Sequence, residues 1–346
     1  MSCLFKFIIV KKIIYSEFYN SFNNIGILST LTSFLLLFLF SLPSILLFKG
    51  KLYTLSFPPN VWHNSTTIFV MPFVVLLFWI SLKQLKDFKP NRLIFITVLI
   101  ILNVLVKPSF LFVYLLAYPI LVFKKYLFSK LFWINLTPIF LAFLFVIGEY
   151  YFIYIGAKTD DKNVVAINLF YLINTKFANG DLVYIFVILL STIISSFLFP
   201  IVLLFRNKKL FKEEMIQFAV ICCFFGLIIS NVFYENGSRG WHGNFSWQNI
   251  MCSFLLFFTC ILQLLKLISK NPLKWKAYRI EISILSLHFL SGILYFLKIL
   301  IMSIKAFGFV FQKENEYFYY LFTPLSVIYL IFYIYKIKIK GFWGFG

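Results

Sequence analysis

The stretch Leu93–Phe123, LIFITVLIILNVLVKPSFLFVYLLAYPILVF, decides how the rest of this chain is threaded. It is apolar almost throughout, apart from Lys107-Pro108-Ser109 near its middle. Basic segments flank it, KQLKDFKPNR (Lys83–Arg92) before and KKYLFSK (Lys124–Lys130) after. Read as one helix, it crosses a bilayer once and leaves the two basic segments on opposite faces. Read as two helices turning at Lys107-Pro108, it returns them to the same face. Each half then rises only about 21 Å against a hydrocarbon core of about 30 Å. Short cytoplasmic loops collect Lys and Arg, and proline suits the first turn of a helix. The hairpin is therefore the expected form, with a lysine at its tip.

Working outward, the same composition continues. The 346 residues are 62% hydrophobic with mean hydropathy +0.92, and only 13% are charged, about half of what a soluble domain carries. Runs such as LTSFLLLFLFSLPSILLF (Leu31–Phe48) and LVYIFVILLSTIISSFLFPIVLLF (Leu182–Phe205) are long enough to cross a bilayer. The expected fold is an all-α, polytopic transmembrane helical bundle forming one integral membrane domain over residues 1–346. About ten spans are expected: 27–48, 66–82, 93–106, 109–123, 131–155, 182–205, 215–234, 247–265, 282–304 and 317–335. Residues 1–26, with LFKFIIVKKIIYSEFY and no small-residue cleavage site, read as an interfacial N-terminal segment. Residues 27–335 form the bundle and 336–346 a cytoplasmic tail. With the N-terminus inside, the inner segments hold 22 of the 32 basic residues, so both termini are expected in the cytoplasm.

This charge distribution argues against nucleic acid as a partner, because the net charge of +20 is split into short runs between apolar spans. Four of the five cysteines lie within spans without metal-ligand spacing and read as small hydrophobes. The sequence carries no Gly-rich phosphate loop and no regular arginines of a voltage sensor. His288 and Lys298, ten residues apart in the ninth span, are polar intruders.

The reactive side chains concentrate in two turns that both read as outer. PPNVWHNSTT (Pro58–Thr67) and ENGSRGWHGNFSWQN (Glu235–Asn249) each hold a Trp-His pair, and together they carry two of the three histidines. In the first, His63 is a candidate base, while Asn64, Ser65 or Thr66 suits a helix cap. In the second, Glu235 could accept a proton and Arg239 could grip a phosphate. His242 could act as general acid or base. Trp241 and Trp247 could stack on a sugar or sit in the interfacial belt, with Asn244 beside them. Lys107, at the hairpin tip, could hold an anionic headgroup or simply snorkel. Glu149 is a carboxylate inside an apolar span, which implies a polar interior or a position near the surface. Asp160-Asp161 could chelate a divalent cation, or be an ordinary wet loop; no other metal or cofactor is expected.

The whole layout resembles the polytopic bacterial enzymes of surface-polysaccharide assembly, namely membrane glycosyltransferases of the C-type fold and O-antigen or capsule repeat-unit polymerases. The resemblance rests on VWHNSTTIFVMPF, LVKPSFLFVYLLAYP and ENGSRGWHGNFSWQ. It implies a polyprenyl-phosphate or polyprenyl-pyrophosphate sugar as donor, membrane lipid as surroundings, other polysaccharide-assembly membrane proteins as partners, and a bacterial cytoplasmic membrane as location. C-type transferases usually carry an acidic base in the first outer loop, and Lys49–Ser65 has none. The base then falls to His63, His242, Glu149 or Glu235. The polymerases have arginine-bearing outer loops that hold lipid pyrophosphate, a role that Arg239 would match. A transporter or flippase of a lipid-linked sugar or small solute is the alternative reading, kept open by His288, Lys298 and the prolines within spans.

Overall fold

The computed structural model describes residues 2–43, 56–62, 64–155, 164–178, 180–237 and 243–310; the side chains of 153, 154, 172, 176, 177, 272–274 and 302–310 lie outside that description. The expected tenth span (317–335), the tail 336–346, His63, Asp160, Asp161, Arg239, Trp241 and His242 are outside it too.

The fold is a helical bundle. In order come α1 (Ser2–Phe18), α2 (Ile25–Leu35), α3 (Ser65–Lys86), α4 (Pro90–Val106), α5 (Ser109–Tyr126), α6 (Lys130–Tyr150), β1 (Val164–Ile167), a single-turn α7 (Tyr171–Ile173), α8 (Leu182–Arg206), α9 (Glu214–Val232), β2 (Phe233–Asn236), α10 (Trp247–Lys270) and α11 (Arg279–Val310). Among the described residues, seven segments are long and apolar enough to cross a membrane: α3, α5, α6, α8, α9, Asn244–Lys270 and Trp275–Ile301. Ile25–Phe38 and α4 are apolar but shorter. Helix α10 is central and α6 peripheral, with 83% and 22% of their apolar windows buried.

The hairpin at Lys107-Pro108 is present. Helix α4 ends at Val106, the Lys107 amide closes on Asn103 O (2.8 Å), and α5 starts at Ser109. The basic turns gather at the opposite end of the bundle. There Arg206 pairs with buried Glu281 (3.0 Å), Lys266 with Glu213 (3.4 Å), and Lys124 donates to Gln217 (2.6 Å).

Two expectations change. The first concerns residues 1–26. Helix α1 buries Cys3, Lys6, Phe7, Ile9, Val10, Ile13, Ile14 and Phe18 and packs inside the bundle. It runs alongside α3: Ser2 Oγ donates to Ile68 O (2.7 Å), and Phe5 meets the ring of Phe73 (6.2 Å). It therefore starts at the same end as α3, away from the basic turn Lys83–Arg92, whereas the charge rule put it with the basic loops. Lys11 and Lys12 led that reading; the apolar residues around them decide the packing.

The second concerns span 27–48. Its helix stops at Phe38, and Leu39 is extended (φ −64°, ψ 130°). A hydrophobic run does not distinguish a buried helix from a buried extended strand. Pro43 follows, and it disfavours helix in the residue before it. Non-helical backbone at membrane depth must find its hydrogen bonds within the protein, and five of the groups in this segment do. Phe40 N donates to His288 O (3.3 Å), and Phe40 O lies 2.7 Å from His288 Nδ1. Leu42 N donates to Ser195 O (2.9 Å), and Ser41 O accepts from Ser291 Oγ (2.6 Å). Asn60 Nδ2 donates to Leu36 O (3.0 Å) and Leu39 O (2.8 Å).

The neighbouring helices are shaped for this strand. Pro200 removes a hydrogen bond from α8, which kinks at Phe197 (φ −120°, ψ 19°). Just before the kink Ser195 O accepts from Leu42 N, and Ser196 Oγ receives the Phe57 amide (2.9 Å). On the other side, a Cβ on Gly292 would overlap the Phe38 carbonyl oxygen, so only glycine lets α11 approach this closely.

Candidate functional site

At the end of the bundle away from the basic turns, four elements meet. They are the α4–α5 turn, the C-terminal end of α6, the antiparallel β1–β2 pair, and the turn leading into α10. The β pair sets Val165 opposite Glu235 and Val164 opposite Asn236. Its register continues through Asn168 N to Val232 O (3.0 Å), which ties it to the end of α9. Gly237 (φ +116°) and Gly243 (φ +62°) hold left-handed backbone on either side of Ser238–His242.

Between α5 and α6 these elements leave an open-sided cavity of about 1320 Å³. Most of its wall is apolar, including Phe112, Leu116, Trp133, Phe140 and Ile147. Its polar lining is Lys107, Ser109, Thr137, Glu149, Tyr150, Glu235 and Asn244. Three of the residues singled out as carrying chemistry, Lys107, Glu149 and Glu235, thus share one chamber, together with Asn244. They reach it from three segments that the sequence leaves far apart.

Each is held differently. Glu235, on β2, is 5% exposed and accepts from Asn244 Nδ2 (2.6 Å). Glu149 lies one residue before the end of α6, and its Oε2 is buried without a hydrogen-bond partner among the described residues. Lys107 sits at the hairpin tip. Its Nζ donates to Thr66 Oγ1 (3.3 Å) and lies 4.7 Å from the centroid of the Trp247 ring. Burial lowers its ammonium from 10.5 to about 8. Among the described residues no carboxylate forms an ion pair with it.

Lys107 also brings the two polar turns together. Thr66 belongs to the first turn and donates to Asn64 Oδ1 (3.0 Å); Trp247 closes the second. Asn64 itself is a helix cap, since its Oδ1 accepts from Thr67 N (2.9 Å). That oxygen is committed to α3, and neither Asn64 nor Trp247 lines the cavity. Both act at one remove, through the lysine. Trp62, of the first turn, is 2% exposed, inside a cluster with Phe38, Phe40, Tyr295 and Phe296. Asp181 caps α8 by accepting from Tyr184 N (3.1 Å). His288 serves the extended strand through Phe40.

Sequence reading missed Lys6 and Asn60. Lys6 Nζ donates to Asn60 Oδ1 and lies 4.0 Å over the Phe254 ring. The available signal was a lone lysine preceding an apolar run, and an asparagine between two prolines and a tryptophan. Among the described residues no group of three His, Cys, Asp or Glu side chains could hold a metal ion.

No family model, no curated protein and no solved structure matches the chain.

Proposed function

We propose that the chain transfers or polymerises lipid-linked sugars in bacterial surface-polysaccharide assembly, at the outer face of the cytoplasmic membrane. The observation that carries this reading is the chamber between α5 and α6, with a long apolar wall and a small polar group containing one cation and two carboxylates. Such a site suits an amphiphile with a hydrocarbon tail and an anionic head, which is the chemistry of a polyprenyl-phosphate or polyprenyl-pyrophosphate sugar. The basic turns at the opposite end of the bundle support the outer placement.

In this reading Lys107 holds the phosphate as a point charge in a poorly solvated place. Trp247, packed on Lys107, keeps its ammonium from folding away. Glu235 or Glu149 takes the proton of the acceptor hydroxyl. The anomeric carbon–oxygen bond to phosphate breaks, the bond to the acceptor oxygen forms, and the phosphate leaves with the electron pair. Asn244 orients Glu235. The apolar wall excludes water, the competing acceptor.

The test is deletion of the gene followed by analysis of the surface glycan. Single repeat units without chains indicate a polymerase, and a repeat unit lacking one sugar indicates a transferase. An unchanged glycan overturns the proposal.

The second reading is a transporter or flippase for such a lipid. It is favoured by the extended strand Leu39–Pro43 among kinked and glycine-notched helices, since discontinuous helices mark transporter sites. Reconstitution separates the two: movement of a lipid-linked sugar across a vesicle membrane without a new glycosidic bond selects transport.

A further inference from the structure

A second, much smaller cavity lies at the start of α3, among Cys3, Lys6, Asn60, Trp62 and Thr67. Its volume is about 20 Å³, enough for a single small guest. It is lined by a cation. Lys6 is only 6% exposed and sits within the bundle, and the ion pairs among the described residues do not include it. An ammonium has three donors. One goes to Asn60 Oδ1, and the Phe254 ring receives the charge on one side. Neither group supplies a negative charge, and an isolated charge in such a place is costly.

Two further features of the cavity favour an anion. It lies beside the N-terminal turn of the 22-residue helix α3, where the backbone carries partial positive charge. The Thr67 hydroxyl, fully buried, has no hydrogen-bond partner among the described residues and belongs to the lining. An ammonium and an unused hydroxyl donor therefore meet at a space of atomic size beside the first turn of α3. We propose that this is a binding site for a small monovalent anion of chloride size, held by Lys6 and Thr67 and locking α1 to the start of α3. A water in the same space would satisfy Thr67 and leave the charge of Lys6 uncompensated. The proposal does not depend on the function assigned to the larger cavity.

The experiment uses the full chain purified in detergent. Thermal unfolding is followed in sodium chloride and in sodium gluconate at constant ionic strength. Chloride is expected to raise Tm saturably, by roughly 2–4 °C, and bromide to do the same. Lys6→Met and Thr67→Val are each expected to abolish that increment. Thr67→Val is nearly isosteric and removes a hydroxyl that has no partner among the described residues, so it decides the matter even if Lys6→Met does not accumulate. Equal Tm in the two salts, or a rise that survives both variants, overturns the proposal. A bromide-soaked crystal should place an anomalous peak beside Lys6 Nζ, and density fitting water alone overturns it as well.

Discussion

Lys107 shows how much one side chain can depend on its surroundings. On a free chain it would be a charged lysine well beyond physiological pH; at the hairpin tip, burial brings it to about 8. Its charged form is the one below that value. Binding of an anionic headgroup is therefore expected to weaken as pH rises past about 8, with the midpoint moved upward if the bound anion holds the proton. Titration of binding against pH checks this, and Lys107→Arg should remove the alkaline fall. Lys107→Met should weaken binding at neutral pH by roughly tenfold or more, the scale of one charged hydrogen bond. The carboxylates are expected to behave otherwise. Whichever of Glu235 and Glu149 is the base, its change to Gln should lower turnover by roughly 10²–10⁴-fold with binding retained. If neither variant loses turnover, the assignment of a base to this chamber fails. The sequence flagged these residues because charges are scarce here. It could not flag Lys6, because a lysine at the head of an amphipathic-looking segment is common and only the fold shows it to be buried.

Among the elements, the extended strand after α2 tests how packing overrides a sequence pattern. Leu31–Phe48 reads as a span on hydropathy alone, and Pro43 was the one residue arguing against a continuous helix. What makes the strand viable lies elsewhere: Pro200 and Ser195 on α8, His288 and Gly292 on α11. Such long-range provision is invisible in local periodicity. The hairpin at Lys107-Pro108 was legible for the opposite reason, since its signal is local and its neighbours on both sides are basic. Gly292→Ala is expected to destabilise by about 1–3 kcal/mol through overlap with the Phe38 carbonyl. Gly148→Ala in α6, where an added methyl meets nothing within 4 Å, should be neutral or stabilising by roughly 0.5–1 kcal/mol. Reversible unfolding in detergent compares the two.

Across the whole molecule, charge separates the ends. The basic end is tied by Arg206–Glu281 and Lys266–Glu213, the other end by hydrogen bonds and an ammonium–ring contact. Glu281 is 1% exposed, so removing its partner leaves a buried carboxylate. Arg206→Met is expected to cost about 2–3 kcal/mol, and thermal unfolding reads it. Lys266→Met, at an exposed pair, should cost about 1 kcal/mol at most. Composition alone made the helical bundle legible. The meeting of Lys107, Glu149, Glu235 and Asn244 was not, because it needs the β1–β2 pair, two four-residue strands among long helices.

The strand Leu39–Leu42 also constrains the order of assembly. Asn60 serves the Leu39 carbonyl, but Phe40, Ser41 and Leu42 bond to residues that emerge from the ribosome more than a hundred positions later, Ser195 and then His288 and Ser291. Until α11 is inserted, part of this backbone faces lipid or the insertion machinery without its final acceptors and donors. A nascent chain cut before α11 should therefore remain open to membrane proteases, and synthesis of the last clamp should mark the moment at which the first segment becomes resistant.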